Sequence, residues 1–135
     1  MTKIARFMML GGLPLLAACD IQPPKTASAG GYELQLDTVP APPRVGQDAA
    51  VSLLIRDGLN QPVAGCDVRF RQHMPGHEMS LDDTFVPMRD PARVGKYEAR
   101  SGEFRMGGDW VLEADFRCGA ERYTVPFDFH LPWPE

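Results

Sequence analysis

Seven segments of the chain alternate apolar and polar residues with a period of two, which is the pattern of half-buried β-strands. Turn residues separate the segments, as Asp57-Gly58 does after the second one. Thirteen glycines and 13 prolines are spread along the chain and would interrupt any long helix. The predicted strands cover residues 32–37, 51–55, 66–71, 84–88, 96–100, 110–118 and 123–129. This pattern predicts an all-β domain, an immunoglobulin-like antiparallel sandwich of seven strands.

The N-terminal residues have the composition of a bacterial export signal. Lys3 and Arg6 precede an apolar run at residues 7–16, which is too short to span a membrane. The sequence Leu16-Ala17-Ala18-Cys19 resembles the lipobox of bacterial lipoproteins, in which the chain is cut before a lipidated cysteine. We therefore expect residues 1–18 to be removed and Cys19 to anchor the protein on the periplasmic side of the inner or outer membrane. The alternative is a plain signal peptide with an incidental cysteine.

Residues 19–31 separate the expected lipid from the predicted domain at residues 32–135. This segment contains Pro23-Pro24 and several small residues, with almost no large apolar side chain to bury. Its composition is typical of a linker, so we predict a flexible tether.

Two further cysteines, Cys66 and Cys118, both occupy the apolar phase of their predicted strands. In an oxidising compartment, two cysteines that face the same core are expected to form a disulfide. Closing a loop of about 50 residues would stabilise the fold by roughly 4 kcal/mol in the chain-entropy model. Two free buried thiols are the alternative. The chain has no CxxC pair, which argues against a thiol oxidoreductase.

Length and charge exclude several classes of protein. The chain of 135 residues is long enough for one domain, and its net charge is −4. Without residues 1–18 it keeps 12 basic against 18 acidic residues and has no basic block, so nucleic acid is not an expected partner. No GxSxG, HExxH or Walker pattern occurs, and no nucleophile and base stand at a recognisable spacing. We therefore predict a protein that is not an enzyme.

The connection after the third predicted strand contains the most unusual cluster of side chains. Two histidines and two methionines surround a Pro-Gly turn in the sequence Gln72-His73-Met74-Pro75-Gly76-His77-Glu78-Met79-Ser80. Thioether and imidazole groups suit Cu(I), because soft ligands match a soft ion. The alternative is structural, with Met74 and Met79 filling the end of the core.

The topology of an antiparallel sandwich brings further candidates to the same end. Met106 lies in the connection before the sixth strand, and His130 and Trp133 lie at the end of the seventh. We expect Met106 and His130 to approach the cluster, with Met106 and His73 as possible completions of the ligand set. The first predicted strand begins at the opposite end, so the tether would leave the cluster facing away from the membrane.

Several motifs resemble those of the YtkA-like domain family, whose pattern overlaps with that of FixH-type proteins. The likeness covers roughly residues 32–131 and rests on Asp57-Gly58, Pro62-Val63, Met74-Pro75-Gly76-His77-Glu78-Met79, Gly95-Lys96-Tyr97 and Met106-Gly107-Gly108-Asp109-Trp110. Such domains are immunoglobulin-like sandwiches in exported or membrane-attached proteins, often associated with copper handling or respiratory-oxidase maturation. The resemblance implies a role in metal binding for Met74, His77, Met79 and Met106, whereas Cys66 and Cys118 look like additions to the family pattern.

Two functions follow from these observations. In the first, the protein binds Cu(I) through Met74, His77 and Met79 and serves a respiratory oxidase or a copper transport protein as carrier or accessory factor. In the second, it is a metal-free periplasmic adaptor that docks on a membrane complex through the same end, with Trp133 among its contact residues.

Overall fold

The computed structural model describes residues 22–77, 84–89 and 93–134, which form two four-stranded antiparallel sheets. The strands are β1 (Lys25–Ala29), β2 (Tyr32–Val39), β3 (Ala50–Arg56), β4 (Asp67–His73), β5 (Val86–Met88), β6 (Lys96–Arg100), β7 (Gly108–Arg117) and β8 (Arg122–Leu131). The first sheet has the order β1-β2-β3-β6, and the second has the order β5-β4-β7-β8. The predicted all-β sandwich is confirmed. The expected signal at residues 1–18 and the expected lipidation site at Cys19 lie outside the described residues.

The apolar phase of each long strand faces the space between the two sheets. On β3 the buried side chains are those of Val51, Leu53 and Ile55, and the side chains between them are only partly buried. The same alternation along β7 buries Trp110, whose ring meets Phe104 edge-to-face with 5.1 Å between centroids. This core is what the period of two predicts, because successive side chains of a strand point to opposite faces.

The sandwich has one strand more than the sequence predicts. Residues 25–29 form β1, which pairs with β2 through a turn at Gly30 and Gly31, where φ is 57° and 83°. The prediction of a tether over all of residues 19–31 is therefore wrong for residues 25–29. Alanine, serine and threonine give this strand almost no contrast between its two faces, although Ala27 and Ala29 pack against the core. A short edge strand of small residues leaves no strong hydrophobic period.

One end of the sandwich gathers the candidate residues and is called the turn end here; it carries the turn at Met74–His77 and the segment containing Met106. The other is the disulfide end, which carries Cys66 and Cys118. The amide of Gly102, after β6, donates to the side-chain oxygen of Gln72 near the end of β4 (2.8 Å). The topological argument is thus correct about which connections share an end.

Strand β1 reverses the direction from which the chain enters the domain. Lys25 lies opposite Leu36, near the end of β2 that belongs to the turn end, and Ala29 lies opposite Tyr32 at the other end. The ammonium of Lys25 also sits 4.9 Å from the ring centroid of Phe129, close to the end of β8. The expectation that the tether leaves from the end opposite the cluster is therefore wrong, because the chain enters beside the turn end.

The predicted disulfide is present. Cys66 and Cys118 are bonded, with Cα atoms 4.3 Å apart, and they immediately flank the paired residues Asp67 of β4 and Arg117 of β7. The bond lies at the disulfide end, opposite the turn at Met74–His77. Both cysteines are only partly buried, so the bond joins the ends of two neighbouring strands in one sheet and does not cross the centre of the core.

Candidate functional site

A tight turn follows the last residue of β4. The amide of His77 donates to the carbonyl of Met74 (3.1 Å), with Pro75 and Gly76 between them. Gly76 has φ 81°, so proline followed by a left-handed glycine makes this a type II turn. Met74 and His77 pair as antiparallel bridge partners, and directly opposite residues project to the same face. The backbone therefore directs a thioether and an imidazole to one side.

Met74 belongs to the core as well as to the turn. Its side chain is 6% exposed, and its terminal methyl group rests on Gly108 at the start of β7. A Cβ atom at position 108 would lie 3.0 Å from that methyl group. His77, by contrast, is exposed. The turn thus has one buried and one solvent-facing donor.

Met106 lies two residues before the point where Met74 meets β7. Its side chain is partly buried, and its carbonyl accepts a hydrogen bond from the indole nitrogen of Trp110 (2.9 Å). A Cβ atom at Gly107 would come within 2.7 Å of the Trp133 ring. The two glycines between Met106 and Trp110 are therefore explained by close packing, because one leaves room for Trp133 and the other for Met74.

His73 is not brought to this face. It is the last residue of β4, and its Nε2 lies 2.9 Å from Oε1 of Glu113 on the outer face of the second sheet. The same carboxylate accepts a hydrogen bond from Nε of Arg71 at 2.7 Å. Because neighbouring residues of a strand point to opposite faces, His73 and Met74 separate. The predicted role of His73 in completing the ligand set has no support in this geometry.

His130 is also on the outer face. Its Nδ1 lies 2.8 Å from Oδ1 of Asp109, its cross-strand neighbour, and both side chains are exposed. The topological argument therefore places His130 at the correct end of the sandwich but cannot assign its face.

Met79 lies outside the described residues, so its predicted role as a ligand stays a prediction. Among residues 22–77, 84–89 and 93–134, no group of three or more histidine, cysteine or acidic side chains is placed so that it could hold a metal ion. The donors that the fold brings to one region are Met74 and His77 in the turn and Met106 in the adjoining segment. Any metal bound there would depend on thioethers.

Sequence reasoning missed a buried acid on the outer face of the second sheet. Asp115 is 4% exposed, accepts a hydrogen bond from Nε of Arg69 and one from the hydroxyl of Thr124, both at 3.0 Å, and also pairs with Arg122. Burial alone raises the pKa of Asp115, but these donors outweigh burial and hold the pKa below its usual value. The arginines of β4 give no local signal of these contacts, because their partners lie more than 40 residues away in the chain.

Comparison with known proteins identifies the family to which the chain belongs. A family model described as YtkA-like matches residues 26–115. No curated protein shows significant similarity to the chain. A DUF4785 family protein from Legionella pneumophila subsp. pneumophila str. Philadelphia 1 has a similar structure, with a TM-score of 0.48 and 14% sequence identity. The match covers 75% of this chain but only 29% of that protein. Among the described residues, no helix has the length and apolar character needed to cross a membrane.

Proposed function

Since the chain belongs to the YtkA-like family, we propose that it is a non-catalytic, lipid-anchored protein of the bacterial periplasm that binds Cu(I) at its turn end. One observation carries this proposal. The type II turn directs Met74 and His77 to the same side, next to the segment that contains Met106. The proposed ligands are Met74, His77, Met79 and Met106.

The chemistry of these donors fits a soft cation. Thioethers and a neutral imidazole match Cu(I), whereas Zn²⁺ prefers thiolate, imidazole or carboxylate ligands in tetrahedral geometry. The buried Met74 supplies a sulfur shielded from water, and the exposed His77 supplies a donor that an incoming ion can reach. His73 and His130 are left out of the ligand set, because carboxylates on the outer face already hold both rings.

A competition titration with a Cu(I) chelator tests the site. We expect His77→Ala, Met79→Leu and Met106→Leu each to weaken Cu(I) affinity by about tenfold, which corresponds to about 1.4 kcal/mol. The matched control is His130→Ala, which removes an imidazole from the same end but from the outer face. Affinity that is unchanged in His77→Ala and Met79→Leu would contradict the proposal, as would an equal loss in the control.

The proposed anchor determines how the site faces the membrane. Cys19 precedes Lys25 by six residues, a length that spans about 20 Å when extended. Because β1 enters beside the turn end, a lipid on Cys19 would hold the copper ligands toward the membrane surface. This orientation suits exchange of copper with a membrane-embedded partner, such as a respiratory oxidase or a copper transport protein. Labelling of cells with palmitate tests the anchor, because Cys19→Ala should abolish the label.

A second candidate function is a metal-free adaptor. The observation in its favour is Trp133, which is 64% exposed and lies over Gly107 at the turn end. Exposed aromatic side chains are enriched in protein interfaces. If the adaptor function is correct, crosslinking in cells recovers one abundant membrane partner with or without copper, and Trp133→Ala reduces its yield. If copper binding is the function, the crosslink depends on copper.

A further inference from the structure

A groove of about 400 Å³ crosses the outer face of the first sheet, away from the proposed copper ligands. Three cations line it, Arg56 of β3, Arg93 and Lys96, the last at the start of β6. Its apolar walls are formed by Leu54, Pro62 and Val94. A groove of this size can hold a small organic molecule.

Arg56 carries an unusual donor. Its Nε atom is buried and has no hydrogen-bond partner among the described residues. The outer nitrogen Nη1 reaches only Asn60, at 3.4 Å from the side-chain oxygen. A buried donor without an acceptor is unfavourable, and most such groups in folded proteins have partners. Beyond the contact with Asn60, the guanidinium group makes no hydrogen bond within the described residues.

The groove concentrates positive charge in an acidic chain. Lys96 approaches Glu98 at 3.5 Å, whereas neither Arg56 nor Arg93 makes an ion pair within the described residues. Asp37, the one carboxylate in the lining, accepts a hydrogen bond from the amide of Thr38. The arginines of β4 on the opposite face are engaged with Asp115 and Glu113.

Apolar contacts define the rest of the ligand. Val94 is 61% exposed at the rim of the groove, and Leu54 and Pro62 form the wall next to Arg56. We propose that this groove binds a small organic anion, with its carboxylate or phosphate group against Arg56 and Arg93 and its apolar part against Val94. The guanidinium group suits both anions, since its planar donors match two oxygens at once. This inference is independent of copper binding.

Calorimetric titration of the full-length protein with monobutyl phosphate and with inorganic phosphate tests the groove. We expect monobutyl phosphate to bind more tightly than inorganic phosphate, because the butyl group adds apolar contact. Arg56→Gln should weaken its binding by about tenfold, and Arg93→Gln, at an exposed position, by about threefold. The control Arg117→Gln removes the same charge from the outer face of the other sheet and should leave affinity unchanged.

Three results would overturn the proposal: no binding of monobutyl phosphate, equal losses in Arg56→Gln and Arg117→Gln, or no loss in either groove variant. Arg56→Lys keeps the charge but removes the planar guanidinium donors that can match two oxygens at once, and it should reproduce most of the loss. If the Arg56 variants do not fold, Arg93→Gln combined with Lys96→Gln carries the same comparison, with an expected loss of about tenfold.

The anionic group could come from a soluble metabolite or from a lipid headgroup. The same titration on protein in phosphatidylcholine vesicles, with and without phosphatidylglycerol, separates the two sources. Binding that persists with phosphatidylglycerol indicates a soluble ligand. Two results together indicate a headgroup: phosphatidylglycerol abolishes the binding of monobutyl phosphate to the wild-type protein, and Arg56→Gln removes this effect of the lipid. A lipid effect that survives in Arg56→Gln would contradict occupancy of the groove by a headgroup.

Discussion

The two outer faces of the sandwich use charged side chains in different ways. On the second sheet, Asp115 is held by Arg69, Arg122 and Thr124, and Glu113 is held by Arg71 and His73. On the first sheet, Arg56 keeps a buried nitrogen without a partner among the described residues. The first arrangement stabilises strand pairing, whereas we propose that the second serves to bind a ligand. The presence of charge on a strand is thus less informative than whether a cross-strand neighbour satisfies it.

The same distinction separates the histidines. His73 and His130 each contact a carboxylate on a neighbouring strand. The imidazole of His77 makes no hydrogen bond within the described residues, although its backbone amide closes the turn. As far as contacts among the described residues go, His77 is consequently the histidine whose ring could bind a metal without breaking one of them.

The largest expected effect comes from removing the bond that holds β4 against β7. The double variant Cys66→Ser/Cys118→Ser opens a loop with a sequence separation of 52 residues. We expect a loss of about 4 kcal/mol in the free energy of unfolding, measured by urea denaturation. The proposed copper site lies at the opposite end of the sandwich, and the groove lies on the first sheet whereas the bond joins strands of the second, so the affinity of still-folded protein for Cu(I) and for monobutyl phosphate should change by no more than a few-fold. A larger change would mean that the disulfide positions one of the sites.

A pair of equivalent substitutions tests the difference between the faces directly. Asp115→Asn removes the charge that holds Arg69 and Arg122. We expect it to lower the free energy of unfolding by about 2 kcal/mol and not by more, because the side chains of both arginines are partly exposed and water screens the ion pairs. Asp37→Asn changes an acid on the first sheet that makes no ion pair with a described residue. Its effect should stay within about 0.5 kcal/mol. Equal losses of stability in the two variants would contradict the conclusion that the two outer faces use charged side chains differently.

Acid unfolding tests the carboxylates on the outer face of the second sheet in another way. Its expected effect on stability is smaller than that of Asp115→Asn, because a protonated carboxyl group still forms hydrogen bonds. Burial raises the pKa of Glu113, as it does that of Asp115, but hydrogen bonds from Arg71 and His73 outweigh burial and lower it. Because both carboxylates have lower pKa values in the folded protein, their stabilisation is complete above the unfolded values. It is lost as the pH falls through the folded values.

Urea unfolding between about pH 6 and about pH 2.5 measures this loss. The double variant Asp115→Asn/Glu113→Gln should flatten the decline in stability below about pH 4, whereas Asp37→Asn should keep the wild-type profile. An unaltered profile in the double variant would show that other carboxylates control acid unfolding.

The smallest expected effect distinguishes two histidines. His73→Ala removes a contact with Glu113 and should lower the free energy of unfolding by roughly 1 kcal/mol, with Cu(I) affinity unchanged. His77→Ala should change stability by less than about 0.5 kcal/mol while it weakens Cu(I) binding. Thermal unfolding and chelator competition on the same two preparations check both statements. A loss of Cu(I) affinity in His73→Ala would return His73 to the ligand set.

The side chains that enter the core, the position of the turn and the pairing of Cys66 with Cys118 could be predicted from the amino-acid pattern alone. Each of these features depends on residues that are close together in the chain or on the number of cysteines. Alternation of polarity directly reflects a strand with one buried face, and Pro75-Gly76 has the backbone preferences of a type II turn. Cys66 and Cys118 were the two cysteines left for a disulfide once Cys19 was assigned to the lipid.

The place of β1 in the first sheet and the partners of the charged side chains on the outer faces depend on contacts between distant parts of the chain. The small residues at positions 26–29 give β1 no strong hydrophobic period, so the place of this strand beside β2 depends on an edge that the rest of the fold creates. The β4 strand continues to His73, and this extension sends that ring to the face opposite Met74. The pairing of Arg71 with Glu113 joins residues 42 positions apart. Such contacts depend on the register between distant strands, which no local pattern of residues encodes.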